Sequence, residues 1–295
     1  MELRHLRYFT TLVEEMHFGH AAEKLHIVQP ALSKQILALE AQIGTPLLIR
    51  NSRNIVLTEA GERFYHEALL TLRQADKAVE LARRAGRGLI GVLRIGYVGN
   101  AALSGALSHC LRHYRQDYPD VEIALQQMPL RALCEGLRDN RLDVAFASNL
   151  TADNVENLGK QTLCAWPWII GMSDDHPLAV CDTIQPEQLR EEAFVLYGDK
   201  GSDSDQIAIL QRLLGRPPRV ACQAADTITT LTLTAAGYGL SLLPATLRNI
   251  AMPGIAYHDL AHCTERLSMD VIYRENDENP VIQGFLQRLT AAGAW

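Results

Sequence analysis

Two short apolar stripes lie close together near the N-terminus. Ala21, Ala22 and Leu25 form the first, and Leu32, Ile36, Leu39 and Ile43 form the second. The second stripe has the spacing of a helix buried along one face. His26–Pro30 separates the two; Pro30 suits a first helical position and Gly44 a helix stop. The following PLLIRNSRNIVLT predicts two short strands around the turn-rich Asn51-Ser52-Arg53-Asn54. Leu6, Phe9 and Val13 place a buttressing helix over Leu3–Glu14. The pattern is a helix-turn-helix with a hairpin wing. Paired amphipathic helices are common in any helical domain, so the face left outside the stripe decides the reading. Gln29, Pro30, Ser33 and Lys34 stand there, near the start of the second helix, with Arg50 and Arg53 on the wing. Residues at that end of such a helix reach base edges and phosphates in the major groove.

A longer pattern follows. Thr58 is a helix cap with acids in the first turn, and the helix runs to about Arg84. Phe64, Ala68, Leu72, Ala75 and Val79 follow at spacings of four, four, three and four, like a coiled-coil seam. Such a seam either packs on its own domain or meets the same helix of a second chain; dimerisation explains its length better. Arg83–Gly88 ends it in a basic hinge.

Beyond Gly91 the period changes. GVLRIGYV, VEIALQQM and LDVAFAS read as strands, with helices over Ala101–Tyr118 and Leu130–Asn140 between them. WPWIIGM, AFVLYG, PRVACQ and GLSLLP repeat the pattern, with helices near Ser204–Leu214 and Ile228–Ala236. RLSMDVIYR and a helix over Val281–Ala291 close the chain. Alternating strands and helices predict mostly parallel sheets in two α/β subdomains, with crossings near Gly159–Leu163 and Ala261–Leu267.

Composition narrows the function. The 295 residues suit about two domains, and nearly half are apolar. No apolar run is long enough to span a membrane, and MELRHLRYF has no signal-peptide core; a cytoplasmic protein is expected. The net charge of −6 argues mildly against nucleic acid, and the six basic residues of the first sixty are matched by six acidic ones. The DNA reading rests on placement of Lys34, Arg50 and Arg53 on one face, and on binding as two or more copies. Cys110, Cys134, Cys164, Cys181, Cys222 and Cys263 are scattered, without a metal-ligand spacing, and read as reduced buried thiols. His5, His17, His20 and His26 lack completing ligands and read as surface or turn residues. No nucleophile elbow, phosphate loop or complete dinucleotide fingerprint occurs. Neither a cofactor nor a metal is expected, and an enzyme is the poorer reading.

The stretch VQPALSKQILALEAQIGTPLLIRNSRNIVLTEAG resembles the DNA-binding segment of LysR-type transcriptional regulators. Its Gln-Pro-Ala-Leu-Ser core, Gly-x-Pro-Leu-Leu step and closing Leu-Thr-Glu-Ala-Gly carry the likeness, which extends more weakly over the rest. Val28 departs from it, standing where the family more often has Ser or Ala. The resemblance implies an α+β protein: a winged helix-turn-helix over 1–58, a dimerising linker helix over 59–88, and an effector domain with the hinged periplasmic-binding-protein-like fold over 89–295. Subdomain I takes about 92–160 and 267–295, and subdomain II about 163–262. It implies a regulator that binds a palindromic promoter site as a homo-oligomer, a tetramer built from dimers, and answers to a small-molecule effector. RNA polymerase is a candidate further partner, and cysteine redox sensing lies within the family's range. The rival is a solute-binding or enzymatic α/β protein with an unrelated helical appendage.

Ligands of open α/β sheets sit beyond the carboxyl ends of the strands. Gly99, Asn100, Leu130 and Ser148 fall there in subdomain I, and Tyr197, Ser202 and Thr227 in subdomain II. Each is equally a helix cap or turn. RIGYVGNAALSGAL is similar to the branch of the family that senses aromatic acids. That branch has hydroxyls where Asn100 and Leu130 stand and an arginine where Ser148 stands. The aromatic-acid effector is therefore not carried over. A small polar ligand is expected, its charge left open between nearby Arg131 and the acidic Asp199–Asp205 loop.

Overall fold

A computed structural model describes residues 1–50, 55–198 and 205–291. The chain divides into two compact units, Met1–Ala85 and Gly86–Trp295.

In the first unit α1 spans Leu3–Glu15, α2 Phe18–Lys24 and α3 Gln29–Ile43. Their apolar faces meet in one core of Phe9, Leu12, Ala21, Ala22, Leu32, Ile36 and Leu39. Each large side chain so buried contributes roughly 1.5–3 kcal/mol. Ile43 was expected on this stripe, but it is 37% exposed. The helix stops one residue later at Gly44, whose φ of +82° suits a residue without a Cβ, and Leu47 folds back into the core instead. Pro30 is the second helical residue rather than the first, with Gln29 ahead of it and Val28 as a cap without a side-chain bond.

Two of the histidines make local structural bonds. His17 caps α2, its Nδ1 accepting from the N–H groups of Gly19 and His20. His5 Nδ1 accepts the Glu2 N–H, which leaves Nε2 to donate to Gln35 Oε1 at 2.9 Å and join α1 to α3.

The wing is an antiparallel pair, β1 (Leu48–Arg50) and β2 (Ile55–Leu57), in register Leu48 to Leu57 and Arg50 to Ile55. Thr58 then caps α4 (Glu59–Gly86), accepting the Gly61 N–H at 2.9 Å and donating to the Pro46 carbonyl at 2.8 Å. Gly61 is obligatory: a Cβ there would lie 2.1 Å from the Leu47 carbonyl oxygen.

The second unit holds two lobes built on the same plan. In the first, β3 (Gly91–Tyr97), β4 (Val121–Gln127) and β5 (Val144–Ala147) are parallel, with α5 (Gly99–Leu103), α6 (Ala106–Asp117) and α7 (Leu130–Arg138) between them. In the second, β8 (Ala193–Tyr197), β9 (Arg219–Ala224) and β10 (Ser241–Pro244) alternate with α8 (Asp205–Leu214) and α9 (Thr227–Ala235). In both lobes the first strand lies between the other two; β8 reaches β10 through the Phe194–Leu240 bridge. Leu93, Ile95, Phe146, Leu133 and Phe285 fill the first core, and Trp168, Ile170, Phe194, Leu210 and Leu242 the second. The closing helix, α10 (Pro280–Ala291), packs on the first.

Two strands join the lobes. β6 (Leu158–Ser173) is continuous and antiparallel to β12 (Arg266–Arg274), and its far half pairs with β10 and β11 (Ile255–Leu260). The sequence reading had placed a crossing at Gly159–Leu163 and a strand only over WPWIIGM. The crossing segment is itself strand, because β12 supplies its hydrogen-bond partners. Pairing shifts between Met269–Cys164 and Asp270–Thr162, leaving Leu163 as an extra residue. β11 and the two-residue β7 (Thr183–Ile184) were not expected. The single helix expected over Ala101–Tyr118 is broken by Gly105, which at φ +83° caps α6.

Candidate nucleic-acid interface and effector cleft

The buried stripe of α3 turns its other face to solvent. Gln29, Pro30 and Lys34 are exposed, Ser33 is half-buried, and Lys34 makes no ion pair among the described residues. These four occupy the first turns of the helix, where the N-terminal dipole favours negative charge nearby. Exposed Val28 precedes them. Arg50 closes β1, and Arg53, with the rest of the Asn51–Asn54 turn, lies outside the described residues. Sequence reasoning missed Glu40. Its Oε1 accepts the N–H groups of Leu47 at 2.8 Å and Leu48 at 3.0 Å, fixing the wing to α3.

The seam on α4 divides. Phe64 meets Phe9 edge to face, ring centroids 5.2 Å apart, and Ala68 is buried. Both were expected at a subunit contact and are instead held by their own domain, because the first turns of α4 lie over its core. Leu72 and Ala75 are half-buried, while Val79 is 51% exposed. Leu70 and Leu81 are exposed as well.

In the second unit Gly99 opens α5 directly after β3, and Thr227 opens α9 in the other lobe. A Cβ on Gly99 would stand 3.2 Å from Gln127 Nε2 and 3.7 Å from Thr227 Oγ1, so the two lobes face each other here with little space between. Asn100 Nδ2 donates to Ser148 Oγ at 3.1 Å, joining the ends of β3 and β5. Asn100 Oδ1 is buried and has no partner among the described residues. Gln127, last residue of β4, was missed; the carboxyl-end rule that found Asn100 points equally to it.

The remaining expected residues are more dispersed. Leu130 opens α7 and packs on the first-lobe core. Tyr197 ends β8, its N–H donating to Gln206 Oε1 at 3.0 Å, while Gln206 Nε2 donates to the Leu242 carbonyl. Ser202 lies outside the described residues, as does most of the acidic loop around it. Arg131 projects into solvent and pairs with Glu135 at 3.0 Å.

Two carboxylates of this unit are held by hydroxyl groups. Asp226 caps α9, accepting the Thr229 hydroxyl at 2.6 Å and its N–H at 2.8 Å. The Thr229 hydroxyl and then its N–H hold the Asp226 carboxyl below the ordinary value of 3.8. Asp270 is 1% exposed, and its oxygens accept from Thr162 Oγ1 at 2.6 Å and Ser268 Oγ at 2.9 Å.

All six cysteines are free, and Cys110 and Cys134 are buried; the other four, expected buried, are half-buried. Burial pushes the Cys110 thiol up to about 12, and those of Cys164 and Cys263 to about 11. Thiols held in that range are poor nucleophiles at neutral pH. No group of residues able to hold a metal ion occurs among the described residues, and no described helix is long and apolar enough to cross a membrane.

Residues 3–62 match the family model described as bacterial regulatory helix-turn-helix protein, lysR family, and residues 86–294 match the LysR substrate binding domain. The chain is 33% identical over 288 residues to the HTH-type transcriptional regulator YnfL of Escherichia coli, covering 97% of this chain and 96% of that one. It is 36% identical over 285 residues to CatR of Pseudomonas putida, covering 96% of each. Full-length CbnR complexed with its target DNA superposes with a TM-score of 0.87 at 27% identity, covering 99% of both chains. With a winged helix-turn-helix, two like α/β lobes and both family models matched, the chain belongs to the LysR family of transcriptional regulators.

Proposed function

We propose that this regulator reads a palindromic promoter site through the first turns of α3. Gln29, Pro30, Ser33 and Lys34 reach the major groove, and Arg50 and Arg53 of the wing reach flanking phosphates. The observation that carries this is the polar face of exposed Gln29 and Lys34 and half-buried Ser33, opposite the buried Leu32, Ile36 and Leu39. A relative of the same architecture has been solved with its target DNA, which supports the assignment. The domains divide as 1–58, 59–88 and 89–295. Two chains pair through the Leu72, Ala75 and Val79 part of α4, and dimers join into a tetramer, which doubles the phosphate contacts that dominate affinity. The protein acts in the cytoplasm, with RNA polymerase as the partner that reads its position.

The effector occupies the cleft between the lobes, against Gly99, Asn100, Gln127, Ser148 and Thr227, with Leu130 and Tyr197 at its edges. Its binding changes how the lobes close and so the grip on DNA. Footprinting of the full-length chain on the DNA upstream of its own gene tests the reading. Protection of two symmetric half-sites is expected; absence of sequence-specific protection overturns it.

A further inference from the structure

The helix α5 is a single turn of five residues, too short to hold its own shape. Its place comes from packing on two sides. Ala101 is fully buried in the first-lobe core. Leu103 is half-buried and packs instead on an apolar cluster of the other lobe, formed by Ile169, Leu231, Leu243 and Leu247. That cluster is distinct from the second-lobe core. Trp168 and Ile170 point into the core, so Ile169 between them points to the opposite face of β6, as Leu243 does beside Leu242 on β10. Resting on the reading of the cleft as the regulatory site, we infer that Leu103 is a positioning residue of that site. It latches the first lobe onto the second and so sets how closely α5 and α9 stand at the cleft.

The latch lies one helical turn from the place where the lobes approach. Gly99 and Leu103 are the first and last residues of α5, and Thr227 and Leu231 stand at the same spacing on α9. Residues so spaced share a helix face. A Cβ on Gly99 would lie 3.7 Å from Thr227 Oγ1, while Leu103 reaches the cluster that holds Leu231. The two helices thus meet along one turn, close at Gly99 and apolar at Leu103. Asn100, bonded to Ser148, ties the same turn to the first lobe. Apolar burial has no preferred direction, so the contact at Leu103 holds the lobes together while allowing them to tilt. A ligand entering beside Gly99 either fits the spacing that Leu103 keeps or lifts Leu103 off its cluster.

Cross-linking of the full-length chain tests this. Gly99→Cys with Thr227→Cys places two thiols within reach of a disulfide, and its rate of formation with oxidised glutathione, followed by peptide mass spectrometry, reads the spacing. In that background Leu103→Ala should slow cross-linking by about fivefold or more, the effect of removing a partly buried apolar side chain on a local equilibrium. Leu103→Val should fall between, and Leu103→Met should keep the parent rate, as should Ala102→Gln at the exposed neighbouring position. An unaltered rate in Leu103→Ala and Leu103→Val, or no cross-link in any variant, overturns the latch. Without the added cysteines, Leu103→Ala should also change the basal output of a reporter driven by the DNA upstream of the chain's own gene. Slowed cross-linking with unaltered output leaves the latch standing and overturns the reading that lobe geometry governs the grip on DNA.

Discussion

The carboxylate of Glu40, in the last turn of α3, accepts the backbone N–H of Leu48, the first residue of the wing, at 3.0 Å. The helix we propose as the reader and the wing beside it thus share one side chain. Hydrogen bonds to a charged group contribute about 1.5–3 kcal/mol. Glu40→Ala should lower the stability of the N-terminal unit by an amount of that order and weaken DNA binding, whereas Glu40→Gln retains an acceptor and should recover most of both. Urea melts and a gel-shift titration check this; equal losses in the two variants would remove Glu40 from the account.

Ser33→Ala and Lys34→Ala should leave the fold intact, since neither side chain belongs to the core of Leu32, Ile36 and Leu39. Both should weaken specific DNA binding. For Lys34→Ala, the slope of log affinity against log salt should fall by about one. An unaltered slope and affinity in both would show that another surface reads the site.

Val79 and Phe64 separate assembly from folding. Val79→Asp places a charge on the exposed part of the seam and should yield monomers by light scattering, because a buried unpaired charge is costly at a helix interface. Phe64→Ala removes the ring packed on Phe9 and should instead destabilise the domain by about 3–5 kcal/mol. A dimer of normal mass for Val79→Asp would place the subunit contact elsewhere.

Asn100→Leu removes both the bond to Ser148 and the free acceptor. Induction from a reporter promoter should be abolished, while the protein still melts in one cooperative transition. Normal induction would return Asn100 to the plain role of a residue in the first turn of α5.

The cap on α9 gives a pH dependence. The folded Asp226 carboxyl lies below its ordinary 3.8, so the fold favours the ionised form. Its contribution is present above the unfolded pKa of about 3.9 and is lost as pH falls through the still lower folded value. Asp226→Ala should cost about 1 kcal/mol at neutral pH. That difference should shrink in acid, below the folded pKa, when urea melts are compared across the range.

The sequence displayed the DNA-binding unit more fully than the effector unit, for a physical reason. Leu32, Ile36 and Leu39 bury one face of an isolated helix, and their period is a local signal. Ile43 broke the pattern because a helix end is set by Gly44 and by the distant Leu47, which no period reports. In the lobes, partners far apart in the chain decide the structure. LGKQTL is polar enough to pass for a connection, yet β12 pairs with it and makes it strand. The carboxyl-end rule applied to Asn100 and Ser148 covers Gln127 equally and was not extended to it, and no local pattern announced the Glu40 bond to the wing. Asp270 escaped for the opposite reason: RLSMDVIYR reads as an ordinary buried strand, and its acid is accommodated only by Thr162 across the ribbon and Ser268 beside it.

That ribbon of β6 and β12 has a mechanical meaning. Two strands hydrogen-bonded side by side resist shear and stretching, but they bend and twist easily at an extra residue such as Leu163. With both connections in one ribbon, movement of one lobe against the other is carried by bending and twisting of that ribbon. Whatever fills the space between the lobes acts on their geometry through those two motions.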